Sequence, residues 1–340
     1  MKFLKILSAS ILAAGLCTGA LAEEPVTLRI AVDSPTRGNV CTGYVDVWAA
    51  KIEAESKGRI KTELVCDGLL GKVGDSINRV AAGVADVAWD LPLSYGARFA
   101  PLGVVGVPGL YDDPEIAAGA LWNLYASGKI RLDVGSGIKL LWVQGVPNTA
   151  YYLVKAPSSL TSLSGLKIAM GSKQRAMTIS AMGGTPIQLT PPEYYQAISK
   201  GAADGVQSTT GAVGSYKLEE LLHHYVYGPF GGGFTIMVMN QAKYDSLPAD
   251  LKKVIDDNSG YTMSRWSAAF LRDWEDNYLK TNMLSKPGNK QVFLTPEQLK
   301  AWQPAFEAVA KSWAESVPDG ANIIQAFKAE YLAETKKAGR

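Results

Sequence analysis

The chain has 340 residues, of which 34 are basic and 32 acidic, for a formal net charge of +2. With no basic stripe or tail, that balance argues against a nucleic-acid or anionic-lipid surface. The length is enough for two lobes of ordinary domain size.

The first residues read as an export signal. Met1-Lys2-Phe3-Leu4-Lys5 is a basic start, Ile6 to Leu16 is apolar, and Ala20-Leu21-Ala22 is a small-x-small cleavage site. The apolar stretch is shorter than the roughly 20 residues that span a bilayer, and Cys17 lacks the preceding small residue of a lipoprotein signal. Residues 1–22 are therefore expected to be removed, which places the mature chain in the periplasm. Loss of Lys2 and Lys5 takes 34 basic residues to 32, against 32 acidic. Cys41 and Cys66 then remain. In an oxidising compartment they are a disulfide candidate, two separately buried thiols being the alternative.

In chain order, Thr27 to Asp33 alternates like a strand and Gly38 to Ser56 has apolar residues at helical spacing. Ile60 to Cys66 is a second strand, Val73 to Ala82 a helix, and Asp86 to Trp89 a third strand. This β-α-β-α-β order calls for a parallel sheet covered by helices. In such a unit Cys41 and Cys66 both lie at the carboxyl end of the sheet, so a bridge between them is sterically plausible. A second strand-rich region follows, with strands at Ile138 to Val143, Tyr151 to Lys155 and Leu166 to Met170, and a helix at Ala176 to Met182. Gly232 to Asn240 is an apolar strand. From Leu247-Pro248-Ala249-Asp250 a helical pattern runs to Leu279, interrupted only by Gly260, long enough to pass along both lobes. Amphipathic helices at Thr295 to Lys311 and Gly320 to Ala338 complete the chain.

The expected fold is α/β, a two-lobe periplasmic binding protein of type II-like organisation. One lobe takes residues 23–147 and 235–275, the other 148–234 and 276–340. Ligands of open α/β sheets sit outside the carboxyl ends of the strands. Strand ends point to Asp33, Asp90, Gln144, Asn148 and Gln207 as cleft-liners, with Trp89 beside Asp90. Two carboxylates in a cleft, next to an aromatic face, suit an ammonium ligand. Structural roles compete: Asp33 as the cap of a turn, Asp90 as an acceptor of backbone N–H groups, Trp89 as core. Arg37 and Arg175 are the counterweight, candidate bidentate anchors for a carboxylate.

Between Leu166 and Thr209 the chain reads Leu-Lys-Ile-Ala-Met-Gly-Ser, then Gly184-Thr185-Pro186, Pro192-Glu193-Tyr194-Tyr195-Gln196-Ala197 and Gly201-Ala202-Ala203-Asp204-Gly205. This block resembles the second lobe of the DctP-like solute-binding proteins of TRAP transporters. Gly68-Leu69-Leu70-Gly71, Gly83-Val84-Ala85-Asp86 and Val107-Pro108-Gly109-Leu110-Tyr111 extend the resemblance through the first lobe. The resemblance implies capture of a small solute and its delivery to the small and large TRAP membrane subunits, driven by an ion gradient without ATP. It also implies a pocket of Asp33, Trp89, Asp90, Leu91, Thr149, Ala169 and Ser208. Thr149 and Ala169 stand where many relatives have arginines and Ser208 where they often have asparagine. The expected ligand is therefore a small amine or amino alcohol first and a small carboxylate second, ahead of neutral polar solutes.

Enzyme chemistry finds little support, and neither a cofactor nor a metal is expected. His223 and His224 are adjacent, so on a strand they face opposite ways and form no single metal site. Gly-x-Ser-x-Gly, P-loop and His-Glu-x-x-His motifs are absent from the sequence. Gly231-Gly232-Gly233 precedes a strand rather than a helix and reads as a crossover or hinge, not a phosphate cradle. A binding protein of an ABC importer, or a sensor that presents its closed form to a receptor, would use the same binding chemistry.

Overall fold

The computed structural model describes residues 24–92 and 95–340; the expected signal peptide, residues 1–22, lies outside them. The first lobe begins as the sequence implies. Strand β1 (Val26–Val32), helix α1 (Asp46–Glu55), β2 (Ile60–Val65), α2 (Ser76–Ala81) and β3 (Val87–Asp90) make two parallel pairings. Helix α3 (Pro114–Ala126), capped by the Asp113 carboxylate, leads to β4 (Ile138–Gly145). Apolar runs of this kind bury both faces of a sheet. Leu28 and Ile30 go to one core, Ala31 and Ala88 to the other.

The second lobe follows as β5 (Ala150–Leu153), β6 (Lys167–Met170), α4 (Lys173–Ala181), β7 (Thr185–Gln188), α5 (Tyr194–Ser199), β8 (Gly205–Ser208), α6 (Thr210–Ser215) and β9 (His224–Tyr227). The chain then returns to the first lobe as β10 (Phe234–Asn240), which enters antiparallel between β3 and β4. The order of the first sheet is β2-β1-β3-β10-β4. After α7 (Gln241–Ser246), α8 (Ala249–Asp257) and α9 (Gly260–Tyr278), strand β11 (Lys290–Phe293) closes the second sheet as β11-β9-β5-β8-β6-β7. Helices α10 (Pro296–Ser316) and α11 (Gly320–Lys337) end the fold.

The helix read from Leu247 to Leu279 is two helices. Asn258 ends α8, its buried carbonyl accepting from the Trp48 indole N–H at 2.9 Å, and Gly260 restarts the chain at φ +71°. A backbone there in the left-handed region favours glycine. Helix α9 packs on α3 and β4 in the first lobe and on α6 in the second, so it runs along both. Helix α10 also passes from lobe to lobe: Trp302 and Phe306 sit in a second-lobe core, Trp313 and Val317 in a first-lobe core. Helix α11 packs on α3, with Ile323, Ile324 and Phe327 in the same first-lobe core. The final helix thus lies with the first lobe, not the second as the expected 276–340 boundary had it.

Two extended crossovers join the lobes side by side. Val146 N donates to Gly233 O at 3.1 Å and Thr149 N to Gly231 O at 2.9 Å. Gly232 is pressed so closely that a Cβ there would sit 1.9 Å from the Tyr111 hydroxyl and 2.6 Å from the Val146 carbonyl. The triple glycine is a tightly packed crossover, as its place before a strand implied. Cys41 and Cys66 are bridged, with Cα atoms 6.1 Å apart. The bridge ties the π turn Val40–Val45 to the chain just beyond β2.

Candidate functional site

A cavity of about 210 Å³ lies between the lobes. Its walls come from strand ends, as open α/β sheets dictate. The first lobe contributes Asp33, Ser34, Asn39 and Val40 after β1, Trp89 and Leu91 at the end of β3, Gln144 and Val146 from the end of β4, and Phe234 and Thr235 from β10. The second contributes Gly171, Ser172, Gln174 and Arg175 at the β6–α4 junction, Tyr194, and Ser208, Thr209, Gly211, Ser215 and Tyr216 around α6.

Among the described residues that line the second-lobe wall, Arg175 alone carries a full charge. Ser172 caps α4 by accepting from Arg175 N, which fixes Arg175 in the first helical turn at the cleft. Its guanidinium donates to two backbone carbonyls, Gly232 O at 3.1 Å and Gln207 O at 3.4 Å, and Nε has no partner. Among the described residues, no carboxylate lies within ion-pair distance of it. Burial pushes its pKa down from the ordinary value, with the Tyr194, Tyr111 and Tyr151 hydroxyls acting the other way. A guanidinium nonetheless keeps its charge in water-compatible pH. A buried, unpaired cation is costly until an anion arrives.

The opposite wall is a polar network on the first lobe. Gln144 Oε1 accepts from the Tyr44 hydroxyl at 3.1 Å and the Thr235 hydroxyl at 2.8 Å, and its amide donates to Ser267 O at 2.8 Å. Asp33 is 8 % exposed and its Oδ2 lacks a partner. Burial first, then the charge of Asp90, pushes the Asp33 carboxyl well above its usual range, while the Leu91 N–H pulls it down. It tends toward the neutral acid.

Asp90 does not reach the cavity. Its carboxylate turns behind the wall, accepting from Gly74 N at 3.1 Å, Ile77 N at 3.2 Å and the Tyr95 hydroxyl at 2.6 Å. Backbone donors at the start of α2 take it out of the site. Asn148 and Thr149 belong to the crossover: Asn148 donates to Tyr111 O at 2.8 Å, and Thr149 donates to Gly231 O at 2.8 Å and accepts from Gln207 at 3.0 Å. None of the three lines the cavity. Ala169 is fully buried in a second-lobe core with Ala150, Tyr152, Tyr194 and Val206, beneath the wall rather than on it. Arg37 is exposed on the surface beside Tyr278. Gln207, also expected in the cleft, is fully buried beside Thr149 and does not line the cavity. Asp33, Trp89, Leu91, Gln144, Ser208 and Arg175 are the predicted residues that do meet there.

Sequence reasoning missed Asn39, Thr209, Tyr194, Tyr216 and Glu275. The serine and threonine that cap α4 and α6 come within two residues of a strand's end, a legible sign of a helix start at the cleft. Glu275 gives no such sign. It lies on α9, buried behind the cavity-lining Gly211, from whose N–H it accepts at 2.9 Å. Asn39 of the first lobe meets it there: a Cβ on Gly211 would lie 2.6 Å from Asn39 Nδ2 and 2.8 Å from Glu275 Oε1. Burial pushes the Glu275 carboxyl up to about 7, against the bonds from Gly211, Thr209 and Thr210.

The family model for bacterial extracellular solute-binding proteins, family 7, known as DctP, matches residues 32–316. The chain belongs to this family. Among relatives of this DctP-family protein is a solute-binding protein of Albidiferax ferrireducens, 27% identical, the match covering 75% of this chain and 76% of the relative. A marine metagenome TRAP solute-binding protein specific for aromatic acid ligands, solved with 3-hydroxybenzoate, is 26% identical with a TM-score of 0.83, covering 92% of this chain and 99% of the other. A TRAP solute-binding protein of Rhodoferax ferrireducens, solved with benzoate, is 25% identical with a TM-score of 0.84 at the same coverage. The DctP-family chain is a two-lobe TRAP solute-binding protein of the extracytoplasmic type, and a small molecule is its ligand.

Proposed function

We propose that this protein captures a small monocarboxylate with an apolar, preferably aromatic, body in the periplasm, closes its lobes on it, and hands it to the TRAP membrane subunits. The observation that carries the reading is Arg175: a guanidinium on the cavity wall, held only by carbonyls, with no acidic partner among the described residues. A carboxylate supplies the bidentate, charge-assisted partner it lacks. Val40, Leu91, Val146, Phe234 and the Trp89 ring offer the body an apolar enclosure. The related proteins solved with benzoate and 3-hydroxybenzoate support the same class.

The amine or amino alcohol preferred from the sequence loses its two supports. Asp90 is spent behind the wall, and burial drives Asp33 toward its uncharged form. A cation would also face Arg175. Closure follows from the architecture, since a ligand held by Arg175 on one lobe and by the Asp33 wall on the other favours the closed population.

Calorimetric titration of ligand-free protein with benzoate and with benzylamine tests the reading. Binding of benzoate and no heat from benzylamine is the expected result. Tight binding of the amine with none of the acid would overturn it. For delivery, uptake of the bound acid should disappear when either this chain or its membrane subunits are deleted.

A further inference from the structure

Tyr194 reaches the cavity from the same lobe as Arg175. The Glu193 carboxylate accepts from the Thr190 N–H and hydroxyl at 2.7 Å each, which fixes the turn where α5 begins at Tyr194. The ring packs in a second-lobe core with Tyr152, Val206 and Val213, leaving 1 % of the residue exposed. Its hydroxyl forms no hydrogen bond with any described residue, yet it is not shut away as the Tyr151 hydroxyl is. Two neighbours place it at the Arg175 end. A Cβ on Gly171, at the β6–α4 junction, would lie 3.3 Å from the hydroxyl, with Leu189 O next at 3.8 Å, so the bare glycine leaves that space open. The charge of Arg175 is the main influence opposing burial at Tyr194, and Tyr194 is the main one opposing burial at Arg175. Tyr216, on the same wall, responds instead to Asp33 of the opposite lobe. Burial pushes the Tyr194 pKa up, so the phenol keeps its proton and stays a donor. A buried hydroxyl left without a bond calls for a partner.

We propose that Tyr194 is a second anchor for the ligand's carboxylate, its hydroxyl donating to one oxygen while the Arg175 guanidinium holds the charge. The inference rests on the carboxylate reading above and adds a further residue that sets specificity. An ionised carboxylate only accepts, and it offers about four lone-pair positions, so a guanidinium leaves room for another donor. The phenol is already held by its core, so making the bond costs little ordering. Both anchors belong to the second lobe. That lobe can therefore capture the anion before the first lobe closes over its body.

Tyr194→Phe keeps the ring and removes the donor. Benzoate and cyclohexanecarboxylate, titrated by calorimetry into the full mature protein, share the carboxylate and differ in body. Both acids should bind the variant about tenfold more weakly, by factors that agree within about twofold, because the lost bond is at their shared end. Without ligand the variant should melt within about 2 °C of the wild type, since the hydroxyl has no partner in the protein. Gly171→Ala reaches the same hydroxyl without altering the ring. Its methyl crowds the open space, and both acids should lose affinity by about threefold or more. Unchanged affinity for both acids in Tyr194→Phe, where Arg175→Gln weakens them, overturns the inference and leaves the carboxylate reading intact. A loss confined to one acid also overturns it, as the hydroxyl would then touch the body. So does a Tyr194→Phe protein that melts far below the wild type while Gly171→Ala binds both acids normally, since Tyr194 would then act through packing. If neither acid binds the wild type, the carboxylate reading falls and this inference falls with it.

Discussion

The two walls of the cleft are built on opposite plans. The first-lobe wall is a closed network in which Tyr44, Thr235, Gln144 and Ser267 satisfy one another, and the Cys41–Cys66 bridge anchors the turn that follows Asn39 and Val40. Its carboxyl, Asp33, is pressed toward neutrality. The second-lobe wall has a permanent charge, Arg175, tethered only to carbonyls of the crossover strands and of β8. One wall is set to read hydrogen bonds. The other is set to hold an anion. A hinged protein gains from that division, because strong capture by one lobe and discrimination by the other make closure depend on the right solute.

The largest effect should come from removing the anion grip. Arg175→Gln keeps a side chain able to donate to a carbonyl and deletes the charge. It should weaken carboxylate binding by roughly 2–5 kcal/mol, the range for truncating one side of a buried charge pair. Calorimetry measures this directly. The ligand-free protein should melt at nearly the wild-type temperature, because no ion pair within the protein is lost. Unchanged affinity would show that the anion is held elsewhere and would dissolve the contrast between the walls.

Glu275 sits where the two plans meet, on α9 against α6 and Asn39, and it ties their balance to pH. Its carboxyl rises from its ordinary 4.5 to about 7 in the folded protein. Between those values the native state holds a proton that the unfolded chain releases. Stability should therefore fall as pH rises across that window and level off above it. Glu275→Gln lacks this slope. Relative to wild type it should gain stability as pH rises from about 5 to 8, by roughly 2–3 kcal/mol at most from this one group. Urea denaturation at both pH values measures the difference; parallel curves would mean that Glu275 is ionised throughout.

How far the sequence carried this picture depends on the kind of feature. The strands of the first sheet, and β5 and β6 of the second, were legible because apolar runs bounded by turn residues are a local property, and Gly260 was legible as an interruption because few other residues adopt its backbone. The short strands β7, β8, β9 and β11 were not read as strands. The lobe to which α11 belongs was not, since an amphipathic stripe states that a helix is buried and not against what. Ala169 stands where the family resemblance leads one to expect an arginine; the arginine that lines the cavity is Arg175, six residues on, in the first turn of a helix capped by Ser172. Asp33 and Asp90 looked equivalent in sequence because both end adjacent strands. What separates them is the set of N–H groups at Gly74 and Ile77, whose placement is tertiary.

That pair of aspartates supplies the smallest and most discriminating test. Asp90→Asn retains one oxygen for the two backbone N–H groups and Tyr95, and loses the charge that strengthens those bonds. It should lower stability by about 1–2 kcal/mol, read as a shift of the urea midpoint. It should leave carboxylate affinity within about threefold of wild type, because the side chain lies behind the wall and not on it. Its charge is also one of the two influences that raise the Asp33 pKa, the lesser beside burial. The substitution should therefore let Asp33 ionise at somewhat lower pH without freeing it. A tenfold loss of affinity at unchanged stability would place Asp90 on the ligand, and the first wall would then be a cation site rather than a hydrogen-bonding one.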